Sequence, residues 1–519
     1  MGPRAKTKAA IEFGDFQTPL GLAGKVCATL ARYGTKPSTI VEPTCGEGSF
    51  LIAALDAFPS ACRVLGFERN GLYIDRARSA VEHRGWSKRV QILQADFFDT
   101  DWASLLTVLP EPLLILGNPP WVTNAQLGTI GSDNLPAKSN FQNHAGFDAI
   151  TGKSNFDIAE WMLIKLLEAI ETRQATLGML CKTSVARKVL LHAWKHGMRL
   201  SDSAVYRIDA AKCFDVAADA CLLVCRFHSQ SGLPECPVYA QLGDTQSQSV
   251  IGYQDGRLVA DVKTYNRLKH LRGAELYRWR SGIKHDCGKV MEFVREGARY
   301  RNGLGELIDL EETCLYPMLK SSDLASLEVG SVPQRWMLVT QRSIGEETEG
   351  IAAVAPKTWR YLLSHAEYLD RRASSVYRKR ARFCVFGVGD YSFAPWKVAI
   401  SGLYKKLQFR VLGPIRERPV VLDDTCYFVP CQCAEESELL FSLLASETAR
   451  EFFNSLIFWD AKRPITADVL RQLDLRRLAS EYGSGEAMRR FVAEGAGRCG
   501  RGQRELFDPE ELGVITRNE

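Results

Sequence analysis

The residues of this chain best suited to chemistry stand where an apolar run stops. Leu113-Leu114-Ile115-Leu116-Gly117 has the length and branching of a buried strand, and Asn118-Pro119-Pro120-Trp121 follows it at once. Two prolines can neither continue a β-ladder nor donate to one, so the strand must end abruptly at Asn118. An amide, two stiff rings and an indole are thereby presented together at the carboxyl end of a strand, where open α/β sheets bind their ligands. Asn118 and Trp121 are the leading candidates for chemistry.

The elements that would hold such a site precede it. Phe16-Gln17-Thr18-Pro19 leads into Leu22, Val26, Leu30 and Tyr33 at helical spacing, with Thr18 reading as the N-cap and Pro19 as the first helical residue. A strand through Ile40 and Val41 then meets Glu42-Pro43-Thr44-Cys45-Gly46-Glu47-Gly48 and a helical run. Strand, glycine turn and helix form the arrangement in which a backbone can approach a nucleotide-type ligand closely. A second strand, Arg63 to Phe67, ends in Glu68, at the distance from the glycine turn where doubly wound sheets place an acid against ribose hydroxyls. An ionised carboxylate can accept both hydroxyl hydrogens. A third strand, Val90 to Leu93, is followed by Asp96 and Phe97, which pair a polar acceptor with a flat ring.

In this order, the segments resemble the amino-terminal half of the gamma class of type II DNA methyltransferases acting on the N6 amine of adenine. The likeness runs over about residues 13 to 228. It implies a doubly wound, Rossmann-like α/β catalytic domain with a mixed seven-stranded sheet, and S-adenosyl-L-methionine as cofactor, leaving as S-adenosyl-L-homocysteine, with no metal. The implied cofactor-binding residues are Phe16, Gln17, Thr18, Pro19, Glu42, Thr44, Gly46, Gly48, Glu68, Asp96, Phe97 and Asn118. Glu42 suits the cationic amino-acid end of a cofactor that carries no pyrophosphate. The implied catalytic set is Asn118, Pro119, Pro120 and Trp121. The Asn118 side-chain oxygen and the Pro119 carbonyl would each accept one hydrogen of a flipped-out adenine's amine, and Trp121 would stack on the base.

Composition agrees with a multidomain chain. At 519 residues it exceeds one ordinary core. No apolar run approaches the roughly 18 residues that span a bilayer, so a cytoplasmic protein with no membrane partner is expected. The 15 cysteines are scattered without paired metal-finger spacing and read as small buried hydrophobes. A net charge of +5 permits a nucleic-acid partner without arguing for one, so its distribution matters more.

Residues 122–154 are polar and glycine-rich and read as a flexible loop beside the site. Further strands are expected at Gly178–Leu180, Ala204–Ile208 and Ala220–Cys225, the last antiparallel to a neighbour. The domain boundary is placed near 245, giving a catalytic domain over 1–245 and an α+β DNA target-recognition domain over 246–519. In the second, cations alternate with aromatics, notably from Arg371 to Arg382. The candidate DNA contacts are Lys138, Asn140, Arg378, Lys379, Arg380, Tyr391, Lys397, Tyr404, Lys405, Lys406, Lys462 and Arg463. One long helix is expected from Glu435 to Trp459.

The expected partner is double-stranded DNA carrying a short specific site. A separate cognate restriction endonuclease stays open, because no nuclease signature stands out and no fused amino-terminal cleavage domain is expected. RNA or protein-glutamine methylation at the same Asn-Pro-Pro-aromatic site, and a catalytically dead DNA-binding protein, are the competing readings.

Overall fold

The computed structural model describes residues 17–122, 157–216, 218–228, 230–273, 277–326, 334–378 and 380–498. Phe16, Lys138, Asn140 and Lys379, with the loop expected over 122–154 apart from its first residue, lie outside the described residues. The chain divides into two compact units, Met1–Lys263 and Thr264–Glu519. That division falls beyond the expected 245, where two further strands, Ser249–Gln254 and Arg257–Val259, join the first unit's sheet.

The first unit is a ten-stranded sheet in the order β10-β9-β8-β6-β7-β5-β4-β1-β2-β3. The strands are β1 (Thr39–Glu42), β2 (Arg63–Glu68), β3 (Val90–Gln94), β4 (Leu113–Gly117), β5 (Ala175–Lys182), β6 (Leu200–Asp209), β7 (Asp219–Phe227), β8 (Glu235–Tyr239), β9 (Ser249–Gln254) and β10 (Arg257–Val259). The first five run parallel, and β7 lies antiparallel between β5 and β6. These seven strands are the ones the sequence pattern predicts. Strand β8 extends them by pairing parallel to β6, and β9 and β10 follow as antiparallel neighbours.

Every residue of β4 is buried, as a strand covered on both faces requires. Leu114 and Leu116 share a core with Leu22, Val26 and Leu30 of α1 (Leu20–Arg32), with Phe50 and Leu51 of α2 (Ser49–Ala57) and with Ile74 of α3 (Gly71–Glu82). Gly178 of β5 makes room for this layer, since a Cβ there would stand 2.9 Å from Leu30 Cδ1. The helix α4 (Trp102–Thr107) packs on α5 (Ile158–Ile170), and α5 and α6 (Thr183–Lys195) lie against β5. Asp157 caps α5 by accepting from Ala159 N at 3.1 Å. Thr18 does not cap α1. The N-cap is Pro19, whose carbonyl accepts from Leu22 N and Ala23 N.

The second unit is α+β. A four-stranded antiparallel sheet has the order β11-β20-β17-β18, built from Arg280–Ser281, Cys426–Cys431, Trp396–Ser401 and Arg410–Leu412. A six-stranded sheet, β14-β13-β12-β16-β15-β19, comprises Leu307–Ile308, Arg299–Asn302, Glu292–Glu296, Arg335–Leu338, Leu315–Leu319 and Val421–Leu422. The single long helix expected from 435 is two helices, Ala434–Leu444 and Glu447–Asn454. Ser446 breaks it by capping the second, accepting from Ala449 N at 3.2 Å. No helix among the described residues is long and apolar enough to cross a membrane.

Candidate active site

Strand order reverses about β1, whose neighbours β2 and β4 lead away to opposite sides. Chain connections diverge there and leave a crevice at the strands' carboxyl ends. The crevice is a cleft with about 900 Å³ of empty volume, counting space open to solvent.

The glycine turn forms its floor. Cys45 N donates to Phe67 O at 2.8 Å, tying the turn to β2, and Gly48 N donates back to Cys45 O at 2.8 Å. Gly48 adopts φ +86° at the N-cap of α2, and a Cβ there would stand 3.1 Å from Ala77 Cβ. Its task is to seat α2 against α3. Gly48 does not line the cleft, whereas Thr44 and Gly46 do.

Glu68 is the hub of the backbone around the turn. Its Oε2 accepts from Gly46 N at 2.9 Å, and its Oε1 accepts from Arg69 N at 2.9 Å and Asn70 N at 2.8 Å. These bonds leave one of roughly four acceptor directions for another donor, and Glu68 lines the cleft. Gln17 reinforces the turn, its Oε1 accepting from Glu47 N at 3.2 Å. Gln17 and Thr18 both line the cleft, whereas Pro19 starts the helix behind it.

Glu42 ends β1 at 2% exposure, and its Oε2 is buried with no hydrogen-bond partner among the described residues. Burial first, and the nearby charge of Glu68 second, push its carboxyl well above the usual carboxylate range. Gly117 closes β4 beside it. A Cβ on Gly117, at φ +155°, would stand 3.5 Å from Glu42 Cγ. Asn118 and Pro120 follow and line the same cleft, and Pro119 is buried behind them.

Asp96 accepts from Phe98 N at 2.9 Å through Oδ1 and pairs with Arg69 Nη1 at 3.3 Å through Oδ2. Phe97 reaches the cleft but is 6% exposed, held by Trp102 with ring centroids 4.9 Å apart. The half-exposed Phe98 beside it offers more open ring.

Trp121 departs from the expected free stacking face. It is 5% exposed and belongs to the core above the sheet, edge-to-face with Phe214 at 5.1 Å. The indole packs inward after the two prolines. Phe214, on the short helix α7 (Ala210–Phe214), is the partner that sequence reasoning left unassigned. Arg69, Tyr73, Phe98 and Met162 also line the cleft unforeseen. Arg69 had a usable signal, since it directly follows the acid of β2, but Met162 lies on α5 and is brought in only by packing.

In the second unit Arg378, Arg380, Lys405, Lys406 and Lys462 are exposed and Arg463 is half-buried. Tyr404, 43% exposed, lies with the two lysines in the loop joining β17 and β18. Tyr391 is half-buried under the Arg280 guanidinium, 4.3 Å from its ring centre. Lys397 is a correction: it is 1% exposed, and its Nζ donates to Ala394 O at 2.6 Å. It sits on β17, whose residues are covered on both faces, so it presents no charge to a phosphate. The basic stretch 371–382 is also partly committed internally. Arg382 pairs with Asp370 at 2.7 Å, and Arg372 donates to Cys384 O at 2.7 Å while lying 3.7 Å over the Tyr377 ring.

The sheet order, the glycine turn and the cleft at the switch point together define a Rossmann-like methyltransferase fold. No family model matches the sequence. The chain is 47% identical over 473 residues to the type II methyltransferase M.NspV of Nostoc sp. (strain ATCC 29411 / PCC 7524), covering 91% of this chain and 98% of that protein. It is therefore a member of the type II methyltransferases. It is also 28% identical over 128 residues to the type II methyltransferase M.XamI of Xanthomonas campestris pv. amaranthicola, spanning 25% of this chain and 22% of that one. Among solved structures, the type IIL restriction-modification enzyme MmeI, determined in complex with DNA, aligns with a TM-score of 0.50 at 14% identity. The alignment covers 89% of this chain and 64% of MmeI, so this chain spans less than two thirds of that one's length, and the likeness is one of fold.

Proposed function

We propose that this protein transfers the methyl group of S-adenosyl-L-methionine to N6 of an adenine in double-stranded DNA at a short specific site. The supporting observation is that Asn118 and Pro120 line the same cleft as Glu42, Gly46, Glu68 and Asp96. On this reading the amine acceptor and the cofactor's contacts share one space.

The residues fit the cofactor. The buried, unpartnered Glu42 Oε2 suits an ammonium group, Glu68 keeps an acceptor direction for a ribose hydroxyl, and Asp96 beside Phe98 suits an adenine edge and face. When bound, the cofactor supplies an electrophilic methyl group on a sulfonium. The Asn118 Oδ1 and the Pro119 carbonyl each accept one hydrogen of the target amine, holding its nitrogen towards that methyl group. Proline nitrogens carry no hydrogen, so the turn offers the amine acceptors rather than competing donors. The target base leaves its stack and displaces the Phe214 edge from Trp121. Stacking on an aromatic ring is worth on the order of 1–3 kcal/mol, comparable to the ring contact it replaces. The second unit reads the DNA, with Arg378, Arg380, Tyr404, Lys405, Lys406 and Lys462 as its available contacts. The protein acts in the cytoplasm, and a separate endonuclease would cut the same site.

Labelled-methyl transfer to duplex DNA, followed by nucleoside analysis, tests this. Label in N6-methyl-deoxyadenosine is the expected result. Label in N4-methylcytosine, in RNA or in protein would overturn the adenine assignment.

A further inference from the structure

Glu42 is the most unusual ionisable group of the cleft. Its surroundings come from five directions. From β2, Glu68 faces it with a like charge, while from α1 and the glycine turn come the thiols of Cys27 and Cys45, both of which sense it. The α2 backbone at Leu51 favours its charged form, and β4 contributes the uncharged Gly117. None of these groups is a cation. The guanidinium lining the same cleft, Arg69, is engaged with Asp96 at 3.3 Å. A bare carboxylate at 2% exposure with an orphaned oxygen and an acid beside it is expensive to maintain.

We propose that Glu42 holds a proton in the cofactor-free protein and exchanges it for the ligand's ammonium group, making this carboxyl the element that selects a cationic amino-acid end. This rests on the S-adenosylmethionine reading of the cleft. The exchange is balanced without any covalent step: the carboxyl proton passes to solvent, and the ammonium, keeping its own protons, donates to the freed carboxylate. The cavity that orphans Oε2 is then filled by a donor of opposite charge. Glu68, already accepting from three backbone amides, contributes to the nucleoside end and not to this exchange.

Proton counting tests the inference directly. The full-length protein is titrated calorimetrically with S-adenosylhomocysteine in buffers of different ionisation enthalpy at one pH. Release of about one proton per ligand near neutral pH is expected, with affinity rising by up to about tenfold per pH unit while Glu42 is protonated in the free protein. 5′-Methylthioadenosine, which keeps the nucleoside and lacks the ammonium, is expected to bind without releasing a proton. Glu42→Gln, nearly equal in volume, is expected to abolish the release and flatten the pH dependence. Binding of S-adenosylhomocysteine to the unaltered protein with no proton released, or undiminished release from Glu42→Gln, overturns the exchange while the cofactor reading stands. Absence of binding by both S-adenosylhomocysteine and S-adenosylmethionine overturns both.

Discussion

Replacing Glu68 by glutamine separates its two tasks, and the hydrogen-bond inventory sets the size of each effect. Oε1 is filled by the amides of Arg69 and Asn70, and Oε2 takes Gly46 N at 2.9 Å and keeps one acceptor direction, which the proposed ribose hydroxyl takes. A glutamine has one acceptor oxygen. It serves best by remaining on the paired amides of residues 69 and 70, which turns its NH2 towards Gly46 N and towards the proposed ribose. The free protein then loses one charge-assisted hydrogen bond, about 1.5–3 kcal/mol. That corresponds to a fall in melting temperature of roughly 3–10 °C for a unit of this size. The ligand loses a second bond of the same kind, so its affinity is expected to drop roughly ten- to a hundredfold. Thermal melts without ligand and calorimetric titration with S-adenosylhomocysteine read the two separately. A lowered melting point with affinity unchanged within about twofold would mean that Glu68 only tethers the glycine turn and that the ribose assignment is wrong.

Three further outcomes follow from the same geometry. Asn118→Ala removes an acceptor for the amine and no cofactor contact beyond its own, so turnover is expected to fall by about 10²–10³ with S-adenosylhomocysteine affinity nearly unchanged; near-normal turnover in a labelled-methyl assay would remove Asn118 from the mechanism. Burial lowers the Lys397 ammonium to about 7. Its charged form is thus penalised below that pH and the penalty fades as pH rises towards its unfolded value, so Lys397→Met is expected to raise the melting temperature most at acidic to neutral pH. It should leave the salt dependence of DNA binding unaltered, and a shallower salt slope in gel-shift titrations would return Lys397 to the DNA surface. In the second unit burial opposes ionisation of Glu292, but the hydrogen bonds and charges of His285 and Lys320 prevail and hold it down at about 2. Its stabilising contribution is therefore complete above the ordinary glutamate value and lost as pH falls through about 2, so Glu292→Gln is expected to lower the melting point at neutral pH and to converge with the parent in acid; parallel melting curves across that range would contradict the assignment.

Much of the first unit was legible because its information is local. An apolar run closed by Gly117 and two prolines marks a strand end, and a glycine turn with Glu42 beside it, weak alone, gains from its place between a strand and a helix. Edge pairing is less local. Strands β8, β9 and β10 carry only half-buried patterns, and their place beside β6 depends on a partner remote in sequence. The expected helix from 435 to 459 failed for a different reason. Its apolar periodicity continues across Ala445 and Ser446, and the serine's local bond to Ala449 N ends one helix and begins another.

Within the site, legibility stopped at side-chain direction. Glu42, Gly46, Glu68, Asp96 and Asn118 were identifiable because each stands at a strand end, and strand ends in a doubly wound sheet converge whatever their side chains do. Trp121 stands beyond the end of its strand, after Asn118 and two prolines, and its indole faces Phe214 in the core. Lys397 shows the same limit in the second unit, where strand alternation would place its ammonium outward only if one face of β17 were open, and neither is. The first case bears on the proposed function. On the proposed reading the contact between Trp121 and Phe214 must give way to the target base, and it opposes entry of any group that cannot replace the lost ring surface. A planar nucleobase can do so and a flexible glutamine side chain cannot, a difference that goes with the proposal of a nucleic-acid acceptor.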